Sequence, residues 1–137
     1  MRFHQVHHTL HLSLDRALEN EGVSFAQVQV MVELGDRPNL HAGAIARLLG
    51  IRRQSAHALL AKLSAKGLVE LMPRREGVRC AYLTDIGKTV AWRCMDALQP
   101  GVGVLGRLPA AERRQLLQTL DDVEAALRPP RRNWWFD

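Results

Sequence analysis

Apolar residues recur at helical spacing along most of the chain and alternate with polar residues only between about positions 68 and 83. The first helical pattern ends near Gly22, and its apolar face is formed by Phe3, Val6, Leu10, Leu14, Ala17 and Leu18. A second helix is predicted after Ser24, which can cap it in a box with Gln27, and it is expected to end at Leu34-Gly35. Its predicted core residues are Phe25, Val28, Met31 and Val32.

A pair of short helices that meet at a glycine is predicted next. The third helix runs from about Ala42 to Leu49, and Gly50 supplies a left-handed C-cap and a tight turn. The fourth helix runs from about Arg52 to Lys66. Its predicted core residues are Ala56, Leu59, Leu60 and Leu63. Its outward positions are Arg53, Gln54, His57, Ala58 and Ala61.

Two short strands and the turn between them follow the fourth helix. The first strand is predicted from Leu68 to Met72, and residues 79–83 return with alternating faces. Glu76-Gly77 is a favourable hairpin turn between them. The order helix, turn, helix, hairpin predicts a winged helix-turn-helix, in which the second helix of the pair enters the DNA major groove. The predicted fold is therefore mainly α with a small β-hairpin wing, an α+β arrangement of about six helices.

Helical spacing returns after the wing. Thr84 is the predicted cap of a fifth helix over about 85–98. This helix is expected to be interrupted or kinked by Pro100, Gly101 and Gly103. Pro109 suits the first turn of a sixth helix, whose apolar stripe is Leu116, Leu120, Val123 and Leu127. Because two consecutive prolines at 129–130 cannot be helical, residues 128–137 are predicted to form an extended tail.

Basic residues concentrate in the predicted fourth helix and wing. Residues 51–79 hold seven basic and two acidic residues, so this segment carries +5, which equals the formal net charge of the whole chain. The seven are Arg52, Arg53, Lys62, Lys66, Arg74, Arg75 and Arg79. A charge confined to one helix and one hairpin is what neutralisation of DNA phosphates requires. The sequence pI near 10.0 also favours an acidic polymer as partner.

Length and composition narrow the class of protein further. The 137 residues suit one domain, 1–137, of ordinary globular composition, with 47% hydrophobic and 24% charged residues. No apolar run reaches the roughly 18 residues of a membrane span, and the N-terminus lacks a signal core, so a cytoplasmic protein is expected. The two cysteines are too few for a disulfide framework. No paired carboxylates, nucleophile motif or phosphate loop is found, so no enzyme activity and no cofactor are predicted.

Four segments resemble the MarR family of multiple-antibiotic-resistance regulators. They are IARLLGI at residues 45–51, KLSAKGLVE at 62–70, LTDIGK at 83–88 and LPAAERRQLLQTL at 108–120. The resemblance implies a winged lobe at 24–84, flanked by dimerisation helices at 1–22 and 85–127. It implies a homodimeric, sequence-specific transcription regulator of double-stranded DNA, a ligand- or stress-responsive repressor acting on a pseudo-palindromic operator, with a possible small-molecule effector. The alternative is a winged-helix protein-interaction module that no longer binds DNA.

The chain departs from the family pattern at the wing and at the start of the fourth helix. The family's wing usually carries Asp-Arg-Arg, whereas here the turn reads RREGVR, so Arg75 is the first choice for the tip arginine and Arg79 the second. Arg52 stands where a Ser, Thr or Asp cap is usual, and Ala58 replaces a polar or basic residue. We therefore expect this helix to make few contacts to DNA bases. Contacts from the wing and contacts to the DNA backbone should contribute correspondingly more of the binding.

Nine residues are predicted to contact DNA. Arg53, Gln54 and His57 are the expected base readers, since Arg matches guanine and Gln matches adenine in bidentate geometry. Arg52 and Ser55 lie near the helix start, where phosphate contact is easier. The remaining predicted contacts are Lys62, Arg74, Arg75 and Arg79.

Three other features invite a functional interpretation. On the first helix, only neighbouring histidine pairs, His4/His8 or His7/His11, could share a metal ion, and a polar helix face is the favoured interpretation, so no metal is predicted. Cys80 follows Arg79, which would favour its thiolate and suit redox sensing. The family's peroxide sensors carry their reactive cysteine near the first helix, where this chain has none, so redox sensing is not the favoured interpretation. Cys94 is expected to be a buried apolar residue. The tail aromatics Trp134, Trp135 and Phe136 are expected to dock on an apolar groove rather than to fray.

Overall fold

The computed structural model describes residues 2–127, apart from the side chains of residues 100–105. The described residues form six α-helices and three short strands. The helices are α1 (Arg2–Ala17), α2 (Phe25–Asp36), α3 (Ala42–Leu49), α4 (Arg53–Ala65), α5 (Asp85–Gly106) and α6 (Ala110–Leu127). The strands are β1 (Leu40–His41), β2 (Val69–Pro73) and β3 (Arg79–Leu83). The predicted class, mainly α with a small wing, is therefore confirmed.

The chain forms two compact units, Met1–Gly101 and Val102–Asp137. The first unit holds an apolar core to which α1 through the first turns of α5 all contribute. Its fully buried side chains include Leu18, Val28, Val30, Met31, Leu34, Ile45, Leu63 and Cys94. The described part of the second unit consists of the last turn of α5 and α6, and no residue of α6 is buried. No described helix has the length and apolar character needed to cross a membrane.

Local sequence signals set one end of α2, α3 and α5. Ser24 and Gln27 form the predicted capping box, with the Ser24 hydroxyl accepting from the Gln27 amide at 3.2 Å. Gly50 has the predicted left-handed conformation, with φ of 65°, at the turn from α3 to α4. The Thr84 hydroxyl accepts from the Gly87 amide at 3.0 Å and donates to the Gly67 carbonyl at 2.8 Å, so it caps α5 and ties it to the end of α4.

The wing is the hairpin of β2 and β3, and the sheet order is β1-β3-β2 with antiparallel pairing throughout. Glu76 and Gly77 both have positive φ, 65° and 74°, as the predicted tight hairpin turn requires. Strand β1 was not predicted, because two residues are too short to show a period-two pattern. It pairs Leu40 with Ala81, which makes β3 the central strand and explains why Cys80 and Ala81 are both buried.

Four predicted boundaries differ from the structure. Helix α1 ends at Ala17 rather than near Gly22, because the chain tightens into a 3-10 turn, Glu19–Glu21, before the left-handed Gly22. Helix α2 continues to Asp36 through Gly35, which has negative φ and therefore no need to end the helix. Helix α5 continues through Pro100 to Gly106, so the predicted end near Leu98 and the interruption there are wrong; a proline removes one helical hydrogen bond without making the helix impossible. Pro109 precedes α6, and its carbonyl accepts from the Arg113 amide at 2.9 Å.

Candidate nucleic-acid interface

Helix α4 presents a polar, basic face because its apolar residues point into the core. Ala56, Leu60 and Leu63 are buried as predicted, and Leu59 is half-buried against the core. The opposite positions are exposed: Arg52, Arg53, Gln54, Ser55, His57, Ala58, Ala61 and Lys62. Six of the nine predicted contact residues therefore lie on one accessible face at α4.

The start of α4 leaves backbone donors available. Arg52 is the N-cap residue and has extended backbone, but its side chain makes no capping hydrogen bond. The Ala56 amide donates to the Arg52 carbonyl at 3.0 Å, so the helical bonding begins there. The amides of residues 53–55 precede that bond and have no partner inside the helix. Such donors, together with the positive end of the helix dipole, favour an anion such as a phosphate.

A groove of about 550 Å³ separates α4 from the wing. Arg53 and His57 line it from α4, and Arg79 lines it from β3. Its apolar lining comes from Ala42, Leu60, Ala61, Leu71 and Val78. The fold thus gathers three predicted contact residues, separated by up to 26 positions in sequence, around one concave basic surface. Glu76 at the hairpin turn adds one carboxylate to the same groove.

His41 lines the groove but is not among the residues predicted from the sequence to contact DNA. It caps α3, with Nδ1 accepting from the Ala44 amide at 3.1 Å, and it lines both the α4–wing groove and the neighbouring depression. A Cβ at Gly43 would lie 3.1 Å from the His41 ring and 3.8 Å from Arg53 Nε, so the glycine leaves room for both side chains. Histidine is not a common cap residue, and nothing in the local sequence distinguished this one.

The electrostatics of His41 follow from this position. Burial lowers the pKa of His41 below its usual value, and the nearby Arg47 and Arg53 guanidinium groups lower it further. A neutral imidazole is also what the cap needs, because only an unprotonated Nδ1 can accept the Ala44 amide. The basic groove and the cap therefore favour the same protonation state.

The two candidate wing-tip arginines occupy different places. Arg75 opens the hairpin turn, Arg75–Gly77, and is exposed. Arg79 lies in β3 opposite Pro73 and faces the groove beside α4. Arg74 and Arg75 line a separate open depression of about 660 Å³ with His41, Pro73, Val78 and Cys80. The wing thus carries basic side chains at its tip and along its inner side.

Lys66 belongs to the basic segment in sequence but has a structural role. Its ammonium donates to the Gly22 carbonyl at 2.6 Å and to Gln27 Oε1 at 3.0 Å, which joins the end of α4 to the turn before α2. Lys66 is exposed, but its ammonium is engaged by these two acceptors, so it is not counted with the DNA-contact candidates. Six exposed basic residues of α4 and the wing remain: Arg52, Arg53, Lys62, Arg74, Arg75 and Arg79.

The cysteines, the histidines of α1 and the tail aromatics are the remaining residues for which the sequence suggested a function. Cys80 is buried in β3 between β1 and β2, and Cys94 is fully buried as predicted. Burial raises the pKa of the Cys94 thiol, Glu21 adds to that rise, and Arg93 opposes it. Among the described residues, no group of three or more potential ligands gathers around one metal position. Trp134, Trp135 and Phe136 lie outside the described residues.

Comparison with known proteins gives a family match over part of the chain and a fold for nearly all of it. Residues 21–77 match the model of the MarR family. A MarR family transcriptional regulator from Streptomyces coelicolor superposes with a TM-score of 0.82 at 22% identity, over 91% of this chain and 89% of that one. The regulator BldR from Sulfolobus solfataricus gives 0.81 at 16% identity, over 92% and 91%.

Another structure with the same fold contains a bound small molecule. A MarR family protein from Mycobacterium tuberculosis, in complex with p-aminosalicylic acid, gives a TM-score of 0.70 at 24% identity, over 89% of this chain and 95% of that one. No curated protein matches the sequence. At these identities the solved structures establish the fold, while the match over residues 21–77 identifies the segment that holds the α4 face and most of the wing.

Proposed function

Because residues 21–77 match the MarR family model and the described chain has the fold of solved MarR family structures, we propose that the protein is a DNA-binding transcription regulator. The observation that carries the proposal is the α4–wing groove, where Arg53, His57 and Arg79 converge beside a helix start with available amides. Such a surface binds a polyanion, and its concave form suits a duplex.

The residues divide into two roles. The exposed N-terminal half of α4 enters the major groove, where Arg53, Gln54 and His57 meet base edges. Arg52, Ser55, Lys62 and the wing arginines meet phosphates, and Arg75 at the hairpin tip reaches the neighbouring minor groove. Since Ala58 and Ala61 occupy the middle of the exposed face, direct reading of bases is confined to the first turns of α4.

The proposal includes a homodimer. The N-terminal part of α1, residues 2–11, is called here its outer half, and it exposes Phe3, Val6 and Leu10. Helix α6 exposes Leu116, Leu120, Val123 and Leu127. Apolar stripes of this kind are normally covered in a stable assembly. A two-fold dimer presents two copies of α4, so its operator is a pseudo-palindrome with half-sites about one helical turn apart or a multiple of it.

We also propose that a small molecule regulates the DNA binding of this protein. The Mycobacterium tuberculosis relative was solved with p-aminosalicylic acid, which supports a small organic effector for the present protein as well. We propose that the protein is a repressor whose operator affinity falls when the effector binds. A reporter gene under the protein's own upstream DNA tests the sign, since deletion of a repressor raises expression and deletion of an activator lowers it.

The test of the α4 assignment compares two substitutions on an operator recovered from genomic fragments that the protein retains. Gln54→Ala should lower affinity for that operator by about 1–3 kcal/mol and relax preference at one base pair per half-site. Arg75→Ala should weaken binding to operator and random DNA alike. Equal loss on both DNAs for Gln54→Ala would refute its role as a base reader. Retention of no DNA at all would favour the alternative, a protein-interaction module.

A further inference from the structure

Two histidine pairs with the same spacing lie on the outer half of α1 and differ in geometry. His4 and His8 are stacked, with ring centroids 6.5 Å apart and planes only 13° from parallel. His7 and His11 are closer, with centroids 4.9 Å apart and planes inclined at 59°. Neither pair belongs to the α4–wing groove, and neither serves the proposed DNA contact.

The separation of the rings distinguishes the two pairs as candidates for a metal ion. The ring centroids are 4.9 Å apart in the His7 and His11 pair and 6.5 Å apart in the His4 and His8 pair. An ion bound by an imidazole nitrogen lies close to the plane of the ring, so the two rings of a chelate must lie at a set distance from each other. Two imidazoles at about 2.0–2.1 Å from one tetrahedral ion have centroids roughly 5 Å apart. The separation of 4.9 Å between His7 and His11 is that distance.

One member of the pair is already fixed in place. His11 is half-buried, and its ring meets the Phe25 ring edge-to-face at a centroid distance of 5.6 Å. Just beyond it, the Asp15 carboxylate accepts from the Phe25 amide at 2.8 Å, so α1 is anchored to the start of α2 at this point. Metal binding then has to order only the exposed His7 side chain, which reduces the entropy cost of forming the chelate.

We propose that His7 and His11 form a two-histidine chelate for a borderline divalent ion such as Zn²⁺, Ni²⁺ or Cu²⁺, with water in the remaining positions. Neutral imidazole is a preferred ligand of these ions. The chelate bridges one turn of the outer half of α1, whose apolar side chains are exposed in the single chain, and so stabilises that half as a helix. This site is independent of the proposed DNA binding, since it shares no residue with α4 or the wing.

The test titrates the full-length protein with Zn²⁺ at pH 7.5 by isothermal calorimetry. His7→Gln and His11→Gln should each weaken binding by at least about 10-fold, since loss of an outer partner alone costs 10–100-fold. His4→Gln and His8→Gln are matched controls, with the same residue type, helix and spacing, and should change the affinity by no more than about twofold. His57→Gln is the control for the groove histidines.

A second set of measurements tests whether Zn²⁺ binding depends on the fixed position of His11 or only on the number of histidines on α1. Phe25→Leu keeps an apolar contact but removes the ring edge, and should weaken Zn²⁺ binding while leaving one ion per chain. Amide hydrogen exchange of residues 4–11 should slow on addition of Zn²⁺ in the wild type and in His4→Gln, but not in His7→Gln. Equal losses in all four α1 variants, or wild-type binding no tighter than that of the His7→Gln/His11→Gln double variant, would overturn the proposal.

Discussion

The winged lobe and the outer half of α1 use apolar residues in opposite ways. In the lobe, Ile45 and Leu63 are fully buried by neighbouring elements of the same chain. Leu14 on α1 and Leu18 just after it are buried, but Phe3 and Val6 on α1 remain 71% and 66% exposed. Helix α6 resembles the outer half of α1, since none of its residues is buried. The lobe is therefore complete within one chain, whereas these helices carry apolar surface that folding of one chain does not cover.

This difference implies that the lobe determines the stability of the single chain, whereas α1 and α6 determine its assembly. Burial of apolar area within the lobe contributes free energy that does not depend on protein concentration. Burial of the stripes on α1 and α6 by a second copy would make part of the stability concentration-dependent. Substitutions in the lobe should therefore lower the free energy of unfolding of the single chain, whereas substitutions in the stripes should weaken the dimer.

The largest expected effect is in the lobe. Leu63→Ala should lower the free energy of unfolding by about 2–5 kcal/mol, because it removes a fully buried side chain and leaves a cavity between α4 and its neighbours. Urea denaturation at two protein concentrations measures it, and the loss should be the same at both. The matched change Leu120→Ala, at a residue 44% exposed, should cost the lobe less than about 0.5 kcal/mol. Similar losses at the two sites would contradict the comparison.

A charge on the outer half of α1 should act on assembly. Leu10→Asp places a carboxylate among Phe3, Val6 and the rest of the exposed stripe, and should weaken the dimer by about 2 kcal/mol, roughly 30-fold in dissociation constant. Light scattering and sedimentation across a dilution series measure the change. Circular dichroism of the lobe should stay the same. A wild-type protein that is monomeric at micromolar concentration would contradict the proposed dimer directly.

A smaller effect is expected at the start of α3. His41→Ala removes the acceptor for the Ala44 amide and should destabilise the lobe by about 1 kcal/mol, the usual cost of losing a cap. His41→Asn restores a short side-chain acceptor and should recover most of that loss. Thermal unfolding of the three proteins provides the comparison. A His41→Asn variant no more stable than His41→Ala would show that packing of the ring, rather than the cap, is what matters.

The same histidine predicts a modest pH dependence. Because its folded-state pKa lies below the ordinary value of 6.5, the neutral form is favoured in the fold, and its contribution is complete above that value. Stability should fall as the pH drops from about 6.5 through the lowered pKa, since the unfolded chain then binds the proton more readily. Denaturation from pH 7.5 to 5 should show a smaller decline for His41→Asn than for the wild type. An equal decline would assign the dependence to other groups.

Much of the lobe could be predicted from sequence because its signals are local. The Ser24 capping box, the left-handed Gly50 and the Glu76-Gly77 turn each follow from residues within a few positions of one another. Strand β1 and the buried Val30 depend on pairing with β3 and on a helix packed on more than one side, which no local pattern indicates.

The candidate site was predicted in part for the same reason. The outward residues of α4 follow from helical periodicity, and all are exposed as expected. The meeting of Arg53, Arg79 and His41 around one groove depends on how the wing folds back toward α4, which is a tertiary property. The continuation of α5 past Pro100 likewise could not be read from proline's local preference.

The central claim, that the α4–wing face binds DNA, is tested most directly by the salt dependence of binding. Six exposed basic residues per chain remain once Lys66 is excluded, and Arg53 is assigned to a base. If about four of the others meet phosphates, a dimer neutralises roughly eight, and log affinity should fall with log salt at a slope near −7. Fluorescence anisotropy on a labelled operator across a salt series measures this. A slope shallower than about −3 would contradict the assignment of this face as the DNA-binding surface.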